Sequence, residues 1–162
     1  MQVIEGIVQL SDVEQFVERL DEVADDHDST VQAFDARYVV DRTHLKRAVE
    51  TARRERERGN EIARDPGVEI LLYAAGRRQI QDALEMGVSE GKNRVVIVVV
   101  GGDEQAAVSA LEEIVEPAKT LGTYDPEIVQ SFFDVSEKEQ AATDGTLAAS
   151  VRERVGLLVV DR

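Results

Sequence analysis

The stretch Arg94-Val95-Val96-Ile97-Val98-Val99-Val100 is β-branched at every position after its arginine. A strand with one wet face alternates apolar and polar residues, so an unbroken apolar run predicts a strand buried on both faces. Working outward, two further segments read as strands: residues 2–9, through Val3, Ile4, Ile7 and Val8, and residues 30–40, rich in β-branched and aromatic side chains. Between them Val13, Phe16, Val17, Leu20, Val23 and Ala24 recur at helical spacing. Ser11 is the expected N-cap of that helix, with Glu14 as its capping-box partner, and Asp25–Asp28 the polar turn that follows.

The remaining segments supply helices. Asp41 or Thr43 caps a helix over 42–58 whose Leu45, Ala48, Val49 and Ala52 form one apolar stripe, ending at Gly59-Asn60. Residues 67–75 are apolar on nearly every side and predict a short buried helix broken by Gly76. A second helix is expected after it, with Ile80, Ala83 and Leu84 inward, closed by Gly87. Residues 103–116 form a helix stopped near Pro117, Asp125-Pro126 starts another, and 146–160 is the last, although its terminal Leu-Leu-Val-Val also suits an edge strand. The fold class is therefore α/β: a small central mixed or antiparallel β-sheet flanked by helices, in a single domain over 1–162.

Composition narrows the function. With 162 residues and 43% hydrophobic content the chain has enough material for one core. Having no cysteine, it has no disulfide, thiolate nucleophile or cysteine-ligated zinc. Neither a run of the roughly 20 apolar residues needed to span a bilayer nor a basic leader is present, so a cytoplasmic protein is expected. The net charge of −14 argues against nucleic acid until its distribution is seen. Residues 42–94 hold twelve of the nineteen Lys and Arg against nine acids, and the flanks carry a balance of −17. Acidic flanks with arginine far above lysine suit a chain kept soluble in concentrated salt, which leaves the basic middle needing its own reason.

Signs of catalysis are missing. Gly101-Gly102-Asp103-Glu104 looks like a cyclase signature, but it opens a helix rather than a hairpin and reads as a glycine turn before an acidic first helical turn. His27 and His44 have no partner at ligand spacing, so no metal is expected. No G-x-S-x-G elbow, Walker loop or G-x-G-x-x-G fingerprint occurs, and neither enzyme activity nor a cofactor is expected. In the basic middle, Arg42, Lys46 and Arg53 form one row of the 42–58 helix, and Arg47, Arg54 and Arg58 a second, with Glu50, Glu57 and Glu61 between them. The stronger feature is the corner Tyr73-Ala74-Ala75-Gly76-Arg77-Arg78-Gln79-Ile80. There a glycine turn and two guanidinium groups at a helix start suit a phosphate, and equally suit an ordinary helical corner with solvated arginines.

Gln32-Ala33-Phe34-Asp35-Ala36, His44-Leu45 with Ala48, Ile62-Ala63, Glu69-Ile70-Leu71-Leu72-Tyr73-Ala74-Ala75-Gly76-Arg77-Arg78-Gln79-Ile80 and Gly87-Val88 together resemble the kinase-binding subunit of the KEOPS complex, the TPRKB-like family. The acidic flanks would mark a halophilic archaeal member. The resemblance implies a non-catalytic subunit of the assembly that makes threonylcarbamoyladenosine in tRNA. It would bind and stimulate the atypical kinase, meet the remaining KEOPS subunits only indirectly, and grip the 3′ CCA end of tRNA. Carried onto this chain, the tRNA-binding residues are Gly76, Arg77, Arg78, Gln79 and Ile80, with Gly87, Val88 and Lys92 as the other edge of the slot. Lys46, Arg53 and Arg54 would add long-range attraction. Leu157, Leu158 and Val160 of the last helix are the candidates for the kinase. The alternative is a purely protein-interaction activator that binds no tRNA.

Overall fold

The computed structural model describes residues 1–136, 138–139 and 146–160. β3 (Gly91–Val100) is paired antiparallel with β1 (Gln2–Leu10) on one side and with β2 (Thr30–Asp35) on the other. A two-residue β4 (Glu116–Pro117) adds antiparallel to the outer edge of β1, giving the order β2-β3-β1-β4. The sheet is thus antiparallel throughout, and the unbroken apolar run of β3 comes from helices on both faces rather than from parallel pairing. All six side chains from Val95 to Val100 are buried. At roughly 1.5–3 kcal/mol each, their burial is a large part of what holds the sheet between its helices.

The pleat divides that strand between two apolar layers. Val95, Ile97 and Val99 face α1 (Val13–His27) and α5 (Glu104–Glu112), packing with Phe16, Leu20, Val23, Ala107 and Leu111. Val96, Val98 and Val100, joined by Phe34, face the larger layer. That layer holds α2 (Arg42–Glu57), α3 (Pro66–Ala75), the single turn α4 (Ile80–Ala83), α6 (Pro126–Phe132) and α7 (Leu147–Val160). Among the described residues the terminal Leu-Leu-Val-Val is therefore helix, not strand. No described helix is long and apolar enough to cross a membrane.

Aspartates set most boundaries, and they correct several expectations. Asp12, not Ser11, caps α1, accepting the Gln15 N–H at 3.2 Å. α1 also runs through Asp25–His27 and stops at Asp28, whose φ of 53° is left-handed. Asp41, Asp65, Asp103 and Asp125 cap α2, α3, α5 and α6 in the same way. The strand expected over 30–40 ends at Asp35, because its carboxylate accepts the Arg37 N–H at 3.0 Å and starts a 3-10 turn over Ala36–Tyr38. That local Asx bond overrides the β propensity of the residues that follow.

The glycine turn after β3 is structural. Gly102 has φ 58°, and a Cβ there would lie 2.1 Å from the carbonyl oxygen of Asp28. Glu104 folds back to accept the Gly101 N–H at 2.7 Å and pairs with the N-terminal amine at 3.5 Å.

Candidate interaction surface

The corner that the sequence singles out begins where α3 ends. Gly76 takes the left-handed conformation at φ 62°, and the Arg77 N–H closes the helix onto the Leu72 carbonyl at 3.0 Å. The helix expected beyond it is one turn, α4, followed by a 3-10 turn at Leu84–Met86. Its inward side chains are Ala83 and Met86, both fully buried. Ile80 and Leu84, expected inward, are instead 46% and 55% exposed, and at i,i+4 they lie side by side. Tightening from α to 3-10 geometry moves the anchoring residue from Leu84 to Met86.

The two arginines of the corner are partly engaged within the protein. Arg77 donates through Nη2 to the Phe132 carbonyl, and its guanidinium lies 4.7 Å from the centre of the Phe132 ring. Arg78 donates through Nη2 to the Leu158 carbonyl at 3.3 Å, tying the corner to α7. A cavity of about 190 Å³ opens beside Gly76 and Arg77, walled by Phe132, Phe133 and Arg154.

Aromatic rings carry the surface onward. Tyr38 meets Phe132 edge to face at 5.2 Å, and Arg37 lies 5.8 Å from the Tyr38 ring centre. Arg37 and Arg77 thus stand at the two ends of a Tyr38–Phe132 pair. The Tyr38 hydroxyl donates to Glu85 at 3.1 Å, which fixes the 3-10 turn bearing Leu84. Burial, and then the hydrogen bond to that carboxylate, push the phenol up to about 12. The loop from this turn to β3 is shaped by buried Asn93, which accepts the Ser89 N–H at 2.9 Å and donates to the carbonyls of Ser89 and Gly91.

The structure gathers part of the expected set. Gly76, Arg77, Arg78, Gln79 and Ile80 form one corner, and Gln79, Ile80 and Arg78 are exposed. Gly87 and Val88 are half-buried, Val88 packing toward the α1/α5 layer, and Lys92 is exposed at the start of β3. Lys46, Arg53 and Arg54 are exposed along α2, with Lys46 4.0 Å from Glu50. On α7, Leu158 is buried within the larger layer, whereas Leu157 is half-buried and belongs to neither apolar cluster among the described residues. The side chain of Val160 lies outside the described residues. Sequence reasoning missed Arg37, Tyr38, Arg94 and the outward turn of Leu84. The one usable signal was Asp35 itself, whose side chain can accept the backbone N–H two residues on and turn the chain.

Behind the corner lies a polar frame. His44 is fully buried; its Nε2–H donates to the Ala74 carbonyl at 2.7 Å and its Nδ1 accepts the Val40 N–H at 3.4 Å. Burial pushes its pKa down to about 4, so the ring is neutral and pins α2 to the last turn of α3. Glu69, also fully buried, accepts the N–H groups of Ile62 and Ala63 at 3.0 Å and stands 3.7 Å from Arg56. Asp41 caps α2 and bridges to Arg152 of α7. Among the described residues, no three His, Cys, Asp or Glu side chains converge as a metal site. The surface presents an exposed apolar pair and arginine beside aromatic rings, over a hydrogen-bonded polar backing.

Residues 8–158, nearly the whole chain, match the family described as kinase binding protein CGI-121. No curated protein matches the chain.

Proposed function

We propose a function from one premise: the chain belongs to the family of the kinase-binding protein CGI-121. It acts as the non-catalytic, kinase-binding subunit of a KEOPS assembly, stimulates the atypical kinase, and recruits tRNA through its single-stranded 3′ CCA end. The observation that carries the tRNA part is the exposed pair Ile80 and Leu84, on the corner that also carries exposed Arg78. Unpaired terminal bases need an apolar platform, and the strand between them needs nearby cations. In this reading the platform matters more than the arginines, because Arg77 and Arg78 already hold internal carbonyls. The kinase meets the outer face of α7, where Leu157 lies outside both apolar clusters and Leu158 does not.

One observation favours the second reading, a kinase activator without tRNA. Arg77 and Arg78 both brace the corner onto α6 and α7, which by itself accounts for their presence. It also makes their reversal to Glu a poor test, since it should loosen the fold. Leu84→Glu separates the readings: its side chain is mostly in solvent, so the fold should stand. Filter binding or fluorescence anisotropy should show at least a tenfold loss of affinity for intact tRNA, and the same loss for wild type when the CCA end is trimmed. Equal binding of trimmed and intact tRNA, with kinase stimulation retained, would establish the second reading.

A further inference from the structure

β3 extends beyond β2, whose last residue, Asp35, pairs with Val95. Residues 91–94 therefore have no strand partner on that side, and the gap is an open cavity of about 370 Å³. It is lined by Asp35, Arg37, Ser89, Lys92, Asn93 and Arg94. Three cations meet one carboxylate there, in a chain whose net charge is −14.

The cations are held differently. Asp35 takes the Nε and Nη2 edge of Arg37 at 3.1 and 2.7 Å, leaving Nη1 without a partner among the described residues. Arg94 is fixed through Nη2 alone, to the Lys119 carbonyl at 3.0 Å and the Thr123 hydroxyl at 3.3 Å, which leaves its Nε and Nη1. Lys92 lies on the same face of the strand as Arg94, two residues before it, is exposed, and has no acidic partner within ion-pair distance among the described residues. Two guanidinium groups fixed in place by internal bonds, with a mobile ammonium beside them, suit the tetrahedral oxygens of a phosphate. A planar carboxylate would use only part of that set.

We propose that Arg37, Lys92 and Arg94 form a phosphate-binding site. Its phosphate is either a backbone phosphodiester of the RNA whose end rests on Ile80 and Leu84, or a free phosphate or phosphomonoester. The first source rests on the tRNA reading above; the site itself does not. Arg37 adjoins Tyr38, and the Tyr38–Glu85 bond joins this cavity to the turn bearing Leu84.

The test uses the full chain as wild type, Lys92→Ala and Arg37→Ala. Lys92 is the primary variant because its exposed side chain holds no other residue in place. At constant ionic strength, inorganic phosphate should shift the backbone amide resonances of Ser89, Lys92, Asn93 and Arg94 in wild type, and much less in either variant. With an acceptor-stem hairpin ending in CCA, Lys92→Ala should weaken binding about three- to tenfold and lower the slope of log K against log salt by about one. Phosphate shifts without any hairpin effect assign the site to free phosphate. If phosphate leaves those amides unmoved and Lys92→Ala matches wild type in affinity and slope, the site is wrong, whatever Leu84→Glu shows. If Leu84→Glu leaves hairpin binding intact while phosphate still shifts the amides, the tRNA reading fails and the site stands.

Discussion

The two helical layers that flank the sheet differ in kind. The α1/α5 layer buries only apolar helical side chains: Phe16, Leu20 and Val23 on α1, Ala107 and Leu111 on α5. The layer on the other face buries His44, Thr51 and Glu55 on α2, Glu69 on α3 and Ser150 on α7. It also contains the mutually contacting rings of Tyr38, His44, Phe132 and Phe133. A buried polar group costs free energy unless its partners are positioned, so the second layer exchanges adaptability for a fixed arrangement. The first layer closes the core, and the second holds a surface in one shape. Most of the expected interaction residues lie on the side with the polar frame, whereas Val88 packs toward the first layer.

Substitutions can break that contrast. The largest effect is expected at Glu69, where truncation to Ala leaves the N–H groups of Ile62 and Ala63 without their carboxylate and Arg56 without its counter-ion. The loss should be about 3–5 kcal/mol in urea unfolding; a change below about 1 kcal/mol would mean that this carboxylate does not order the loop before α3. Next comes acid. His44 has a folded pKa of about 4, below its unfolded 6.5, so its neutral form favours the native state fully above pH 6.5. That contribution fades as pH falls from 6.5 toward 4, on the order of 3 kcal/mol in all. Unfolding measured across this window should show the slope, and His44→Gln should flatten it.

Smaller effects sharpen the comparison from the other side. Ile97→Val, in the α1/α5 layer, removes one buried methyl group and should cost about 1 kcal/mol in thermal unfolding. Under the proposed function it should leave kinase stimulation and RNA affinity as they are, because no positioned polar group depends on it; a tenfold loss of either would erase the distinction between the layers. The smallest change is expected for Arg53→Ser with Arg54→Ser on the exposed face of α2. Stability should move within about 0.5 kcal/mol. RNA association should slow a few-fold at low salt and converge with wild type at high salt, as steering at a distance requires.

The same contrast governs what was legible beforehand. The α1/α5 layer is periodic and apolar, so its stripe, the doubly buried β3 and the glycine turn at Gly101-Gly102 could all be read from spacing. The stripe of α2 and the breaking role of Gly76 were readable for the same reason. Of the site, the sequence showed the corner but not its internal engagements, because an arginine's partner 55 or 80 residues away leaves no local trace. It placed Leu84 inward by assuming a regular helix where the chain tightens into a 3-10 turn. It ran β2 on to Val40 because propensity was weighed without the Asp35 side chain, which turns the backbone first.

The hydroxyl of Tyr38, bonded to Glu85 between the apolar turn and the basic cavity, makes the site its own optical gauge. The chain has no tryptophan and only three tyrosines, so its intrinsic emission is tyrosine alone. A phenol hydrogen-bonded to a carboxylate is strongly quenched, whereas one released to water is brighter. Anything that draws Glu85 aside, or presses on the turn that carries it, would register as a change in brightness, and the unlabelled protein would show when its surface is occupied.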